Sequence, residues 1–408
     1  MEYKARELER KFLKLSGFFK AVLVTGARQV GKTTMLRHLS DGTGRTYVTM
    51  DDIMARELAK SDPVLFFQMY KPPILIDEVQ KAPELFEQIK IMCDRTDENG
   101  LFWLTGSQQY KMMDNIRETM AGRIGILNLY GLTQREKIGV SFDKDLDFSL
   151  DALKERQQKL PKNSIASVFR HIWEGCMPQL FGVDDELRTE YYNSYVGTYL
   201  MRDAAEEGGI TDSVKFTKFL RCCAALTGEQ VNYATLAENA GISEPSAKEW
   251  LNILQGLGVI YLLEPYANNE LKRLSKTPKL YFCDTGLCAF LSMWLTPEAL
   301  MLGAASGNYY ENYVVMELVK NYAYSKQKAN ITYYRDSNAK EIDIFVEENM
   351  IIHPLEIKKS ANPTARDVRK FSILDKTVLT HGDGGIICMC EEPVPIDEKN
   401  CFIPSNLI

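Results

Sequence analysis

The chain has 408 residues and a formal charge of -6, with 45% hydrophobic and 25% charged residues. That length accommodates two or three domains, and the balance is that of an ordinary globular protein. The mild negative charge excludes a generally basic nucleic-acid coat, though not one basic groove, and no apolar run reaches the length that spans a membrane.

Nine cysteines are scattered without a regular framework, an odd count that predicts reduced thiols and a cytoplasmic location. Cys388 and Cys390 lack a partner pair at zinc spacing, and the four histidines make no His-x-x-x-His pair.

Met1 to Lys14 reads as a charged amphipathic helix. Ala21 to Thr25 is a short apolar strand, and Met35 to Leu39 continues as a helix. Between them, Gly26-Ala27-Arg28-Gln29-Val30-Gly31-Lys32-Thr33-Thr34 fits G-x-x-x-x-G-K-[ST] without a gap. Strand, loop and helix in this order predict a phosphate-binding loop. Its backbone N–H groups and the helix N-terminus favour phosphate, and Lys32 reaches the outer phosphates. Thr33 is assigned to magnesium, so the expected cofactors are ATP and Mg2+.

Arg45 to Met50 supplies the next strand, and Ile53 to Met69 reads as mainly helical. Ile74-Leu75-Ile76-Asp77-Glu78 is a buried strand with two acids at its C-terminal end, where ligands bind in open α/β sheets. Asp77 is expected to hold magnesium through water, and Glu78 to polarise the attacking water. Leu101 to Ser107 forms a further strand whose polar end brings Ser107 or Gln108 to the terminal phosphate or the water. Strands alternating with helices predict a doubly wound α/β sheet. Charge building on the transferred group calls for an arginine, and Arg123 leads Arg202 and Arg117, in cis or from a neighbouring subunit.

Val24 to Thr33, Ile76-Asp77-Glu78-Val79-Gln80, Leu104-Thr105-Gly106-Ser107 and Ala121-Gly122-Arg123 together resemble the prokaryotic AAA-type ATPases that carry a C-terminal domain of unknown function. The resemblance runs nearly end to end and extends to the broader AAA+ and STAND groups. It implies an ATP-binding core and no particular substrate.

In the middle of the chain, Phe216 to Thr227, Val231 to Ser243 and Glu244 to Gly256 read as three helices. Val259 to Leu263 and Lys279 to Phe282 read as strands. That order predicts a helix-turn-helix with a wing. Glu244 and Glu249 against Lys248 argue weakly against major-groove reading. Lys272, Arg273, Lys276 and Lys279 concentrate positive charge on the wing, to grip a nucleic-acid backbone or to pack against the ATPase domain.

Gly307 to Tyr324 reads as a helix with Glu311, Asn312 and Glu317. Ile331 to Asp336, Glu341 to Val346 and Met350 to Lys358 read as strands. A turn centred between Glu348 and Asn349 sets Asp343 opposite Pro354 and puts Asp343, Glu356 and Lys358 on one face. Two carboxylates can chelate magnesium beside a lysine that orients water, with Glu317 completing the site. The arrangement resembles the PD-(D/E)xK nuclease superfamily, with Ile342 in place of the proline of that pattern.

The expected domains are an AAA+-like ATPase with a helical extension over 1–205, a winged helix over 206–290 and a restriction-endonuclease-like α/β domain over 291–408. The expected function is ATP hydrolysis coupled to DNA or RNA, with a metal-dependent nuclease-like tail. The alternative is a STAND-like switch for a protein partner, with an inactive tail. ATP and ADP are ligands under either reading, and a trans-acting arginine implies a homo-oligomer.

Overall fold

The computed structural model describes residues 3–107, 116, 119–267, 277–336, 340–376 and 379–408. Two compact units divide them. The first comprises Met1–Leu132 with Met177–Gln179 and Ile253–Val259, and the second comprises Thr133–Cys176, Leu180–Asn252 and Ile260–Ile408.

The first unit is built on a sheet of five parallel strands among the described residues. They are β1 (Ala21–Thr25), β2 (Thr46–Thr49), β3 (Ile74–Asp77), β4 (Phe102–Thr105) and β5 (Ile124–Asn128), ordered β2-β3-β4-β1-β5. Every residue of β1, β3 and β4 is buried, the near-continuous apolar pattern of a parallel sheet covered on both faces. Leu23, Ile74, Ile76, Phe102 and Leu104 pack with Phe66, Phe67, Phe86 and Ile89 in one core cluster. On the amphipathic helix α1 (Leu8–Ser16), Leu8 and Phe12 are buried, and Phe12 meets Trp103 edge-on at 4.8 Å. Helix α2 (Lys32–Ser40) follows the phosphate loop directly.

The stretch expected as mainly helical after β2 forms two helices, α3 (Ile53–Ser61) and α4 (Pro63–Met69). Pro63 cannot donate within a continuing helix, and the Asp62 carboxylate instead accepts from the Leu65 N–H at 2.9 Å, so a new helix starts there. Helix α5 (Leu85–Asp94) completes this side of the sheet. The order places the carboxyl ends of β3, β4 and β1 side by side, so residues following three strands converge on one edge.

The second unit opens with a mainly helical stretch. Helices Ser213–Ala225, Tyr233–Ala240 and Glu244–Gly256 appear where expected, followed by the antiparallel pair β6 (Ile260–Leu263) and β7 (Lys279–Phe282). Lys272, Arg273 and Lys276 lie outside the described residues. Helix Ser306–Tyr324 is buried along most of its length.

The C-terminal part is an α/β region around a mixed sheet. Strands β8 (Asn330–Arg335), β9 (Glu341–Glu348) and β10 (Ile351–Ile357) are antiparallel neighbours. β12 (Gly384–Cys388) and β14 (Asn400–Pro404) extend the sheet in parallel with β10. β11 (Thr380–His381) and β13 (Val394–Pro395) add short edges. Gly385 allows the close β12–β14 approach, since a Cβ there would sit 1.9 Å from the Cys401 carbonyl oxygen at a φ of +149°.

The β9–β10 turn corrects one expectation. Asn349 and Met350 both have positive φ, 48° and 69°, and form a two-residue turn between Glu348 and Ile351. The register is therefore two residues from that expected, with Pro354 opposite Phe345 rather than Asp343. Because side chains alternate with period two, this even shift keeps Asp343 and Glu356 on a common face. Among the described residues no helix is long and apolar enough to cross a membrane.

Candidate functional site

In the first unit, the chain leaves β1 at Gly26 with a φ of +141°, where a Cβ would lie 2.1 Å from the Leu129 carbonyl oxygen. It enters α2 through Gly31 at +95°. Glycine is required at both corners, which explains the spacing of the motif sterically. Gln29 is also left-handed, at 62°, and Val30 is buried. Lys32 is 6% exposed, and its ammonium donates to the carbonyls of Gly26 (3.0 Å) and Ala27 (2.8 Å). Ala27 and Arg28 are half-buried on the loop, while Thr34 is exposed.

The Thr33 hydroxyl donates to Asp77 Oδ1 at 2.5 Å, and the Thr105 hydroxyl donates to the same oxygen at 2.5 Å. Tyr47 and Thr49 reach the other carboxylate oxygen at 3.4 and 3.5 Å. Burial and the Asp77 charge both raise the Tyr47 pKa. Glu78 follows with a φ of 54°, its N–H donating to the Thr105 hydroxyl at 3.1 Å and its carboxylate accepting from the Gln80 amide. Ser107 is buried, and its hydroxyl has no partner among the described residues.

These groups fit a nucleotide with its magnesium. Paired threonine and aspartate oxygens are the hard donors that ion takes, and the buried Ser107 hydroxyl stands ready for a polar ligand. Thr33 and Asp77 would hold the ion, which when bound neutralises charge on the outer phosphates.

Arg123 does not join this group. Arg123 stands just before β5, its carbonyl accepting from the Ala21 N–H at 3.2 Å. That is the opposite end of β1 from Gly26, roughly 16 Å along the strand. Arg123 grips Asp94 through two contacts, 2.6 and 3.0 Å, and this pairing holds the Asp94 carboxyl below its ordinary range. Arg202 is half exposed beside Asp203 and Glu206 in the second unit. Gln108 and Arg117 lie outside the described residues.

The second candidate site lies in the second unit. Glu356 is fully buried, and its Oε2 meets the ammonium of Lys358 at 2.8 Å and that of Lys370 at 3.1 Å. Asp343 Oδ2 accepts from the Ile357 N–H at 2.8 Å and lies 3.9 Å from Lys358. The structure therefore brings Asp343, Glu356 and Lys358 together. Glu317 is elsewhere: its carboxylate accepts from the Gln134 N–H at 2.9 Å and pairs with Lys320 at 2.9 Å. Glu311, nearly two helical turns earlier, accepts from Lys279 at 3.0 Å and Tyr281 at 2.6 Å. Burial raises the Glu311 pKa and the Asp343 charge adds to it, against Lys279. Lys279 is thus no exposed wing cation, since it is buried between Glu311 and Glu341, at 3.0 and 2.6 Å.

Among the described residues no three His, Cys, Asp or Glu side chains converge as a ready-made metal cluster. Asp343 and Glu356 are two donors, fitting an ion that completes its shell with water and substrate oxygens. Burial, with the Asp343 charge, pushes the Glu356 carboxyl up to about 7, against Lys358 and Lys370. A folded-state value above the ordinary carboxyl value of about 4.3 penalises the ionised form. Its stabilising contribution is therefore full below about pH 4.3 and is lost as pH rises through the folded value. In chelator, Tm is expected to fall between about pH 5 and 8, and Glu356→Gln should flatten that slope. An unchanged slope in the variant would assign the dependence to another group.

Residues 18–138 match the family model described as AAA domain, residues 165–298 a domain of unknown function, DUF8612, and residues 306–408 another, DUF4143. The chain carries an AAA domain of the P-loop ATPase type followed by a DUF4143 domain. Uncharacterized proteins of Mycobacterium tuberculosis and Mycobacterium bovis are each 27% identical to it over 390 residues, covering 95% of this chain and 80% of theirs. A Walker-type ATPase of Pyrococcus abyssi is 16% identical with a TM-score of 0.44, covering 70% of this chain and 94% of that one.

Three contacts around the two sites carry no local signal in the sequence. Arg6, on the segment before the AAA domain, donates to the carbonyls of Val30 (2.8 Å) and Tyr130 (2.7 Å) and braces the phosphate loop. Its partners are 24 and 124 residues away. Gly258, at +71°, lies so close to Ala27 of the AAA domain that a Cβ would stand 3.2 Å from the alanine Cβ. In the DUF4143 domain, Lys370 reaches Glu356 from the 3-10 segment Ala365–Lys376. Thr105, by contrast, carries a local signal, since Leu104-Thr105-Gly106-Ser107 is the polar end of an apolar strand.

Proposed function

We infer that the chain hydrolyses ATP at the AAA domain and uses the cycle to act on nucleic acid, which the DUF4143 domain cleaves with a divalent metal. The observation that carries the ATPase reading is the junction of Thr33, Thr105 and Asp77 at one carboxylate oxygen, beside Lys32 and Glu78. Glu78 accepts a proton from the attacking water, and Lys32 stabilises charge on the transferring phosphoryl group. The nuclease reading, which gives the C-terminal part a restriction-endonuclease-like fold, is supported by Asp343, Glu356 and Lys358 on one face of the β9–β10 hairpin.

Phosphate release measured with ATP alone, duplex DNA, single-stranded DNA and RNA tests it. Turnover should rise severalfold with at least one nucleic acid. ATP turnover that no nucleic acid alters would move the function to the second reading, a nucleotide-controlled switch for a protein partner. The approach of Gly258 to Ala27 favours that reading, because Ile253–Val259 completes the first unit from far along the chain. Nucleotide state at the loop would then be felt by that segment.

A further inference from the structure

We propose that Gln80 is a positioning residue of the ATPase site: its amide fixes the Glu78 carboxylate and seats the second proton of the attacking water. The inference rests on the reading of Glu78 as the general base. Gln80 lies on the 3-10 turn Val79–Lys81, immediately after β3, and is half-buried. Its Nε2 donates to Glu78 Oε2. The amide orientation follows from the partner, since an ionised carboxylate oxygen only accepts and the nitrogen must face it. Oε1 is thereby turned away, and it is buried with no partner among the described residues. A buried acceptor without a donor requires an explanation, and an ordered water is one of the few available.

The surroundings restrict what that water does. The Glu78 backbone is held left-handed at 54°, and Thr105 takes its N–H while donating to Asp77. Turn, carboxylate and amide form one hydrogen-bonded set anchored to the Asp77 oxygen that also takes Thr33. A water has two protons and two lone pairs. Donating one proton to Glu78 and the other to Gln80 Oε1 leaves a lone pair free for the terminal phosphorus. In the reaction the water oxygen bonds to that phosphorus, and the bond from phosphorus to the bridging oxygen breaks with its electron pair leaving on ADP. One water proton passes to Glu78 and from there to phosphate or solvent. The other stays on the new P–O–H group and remains hydrogen-bonded to Gln80. Nothing is oxidised or reduced. The pair divides two tasks, Glu78 taking the proton and Gln80 fixing the direction of attack.

The test compares wild type, Glu78→Gln, Gln80→Met and Gln80→Glu as full chains, measuring kcat and KM for ATP and the Kd of a fluorescent ATP analogue. Methionine removes donor and acceptor at similar volume. Glutamate keeps an acceptor and replaces the donor by a charge that repels Glu78. Both should lower kcat about tenfold to a hundredfold with Kd unchanged within about twofold. If Gln80→Met folds poorly, Gln80→Glu decides. A kcat within about twofold of wild type in the folded variants overturns the proposal, and so does a loss confined to Kd or KM. Wild type without turnover, or Glu78→Gln as fast as wild type, removes the reading of Glu78 itself and the proposal with it.

Discussion

Lys32→Ala is expected to lose nucleotide binding almost completely, and Glu78→Gln to bind ATP while hydrolysing it at least about a hundredfold more slowly. The two losses differ in kind. Lys32 is a buried ammonium held by the Gly26 and Ala27 carbonyls, and alanine removes the charge that the proposed reading directs to the outer phosphates. Glu78 follows Asp77 with its N–H on the Thr105 hydroxyl, and its proposed role is to accept a proton from water, not to contact the nucleotide in the ground state. Titration with a fluorescent nucleotide and phosphate release on the same preparations separate them. Equal turnover in wild type and Glu78→Gln would take Glu78 out of the catalytic role.

The second large effect is expected at the other end of the chain. Asp343→Ala and Lys358→Ala should each abolish metal-dependent phosphodiester cleavage, by about a hundredfold or more, while ATP hydrolysis persists. The Asp343 variant loses one of the two proposed metal donors. Lys358 loses the ammonium that meets Glu356 at 2.8 Å and lies 3.9 Å from Asp343. Removing Lys358 also takes one of two ammonium partners from the buried Glu356 carboxylate, which keeps Lys370 at 3.1 Å, so part of any loss will be structural. The informative comparison is therefore Lys358→Ala against Lys358→Arg, with metal binding by calorimetry beside cleavage of duplex, single-stranded and branched substrates. If no metal binds the wild type and no substrate is cut, the DUF4143 domain is a binding platform and the switch reading stands.

How much was legible in the sequence depended on how local the physics was. The phosphate loop is one strand, one turn and one helix start, and its glycines are dictated by φ values that no other residue tolerates well. Asp77 and Glu78 terminate an apolar strand, which locates them on the sheet edge. Alternation placed Asp343, Glu356 and Lys358 on one face, and that survived an error in register because the error was even. The turn itself was misjudged because Met350 is not a typical turn residue, yet it adopts positive φ beside Asn349. Nothing local shows which way Glu317 faces, because its helix is buried along most of its length. Glu317 turned out to answer Lys320 and the Gln134 N–H. Lys279 read as surface charge because its partners, Glu311 and Glu341, lie 32 and 62 residues further on. Arg6 and Lys370 were missed for the same reason, since tertiary contact alone brings them to the sites.

The composition of the first unit bears on how the protein is made. Its sheet is complete in sequence by Asn128, but Met177–Gln179 and Ile253–Val259 also belong to it. At roughly 5–20 residues per second, a ribosome that has finished the last strand needs several seconds or more to deliver Val259. During that interval the loop around Ala27 is without the Gly258 contact, on a nascent chain already carrying an intact G-x-x-x-x-G-K-[ST] sequence. The unit therefore cannot mature vectorially from its N-terminus as a self-contained block. For the same reason, residues 18–138 transplanted alone into another gene would arrive without pieces that the native chain adds late.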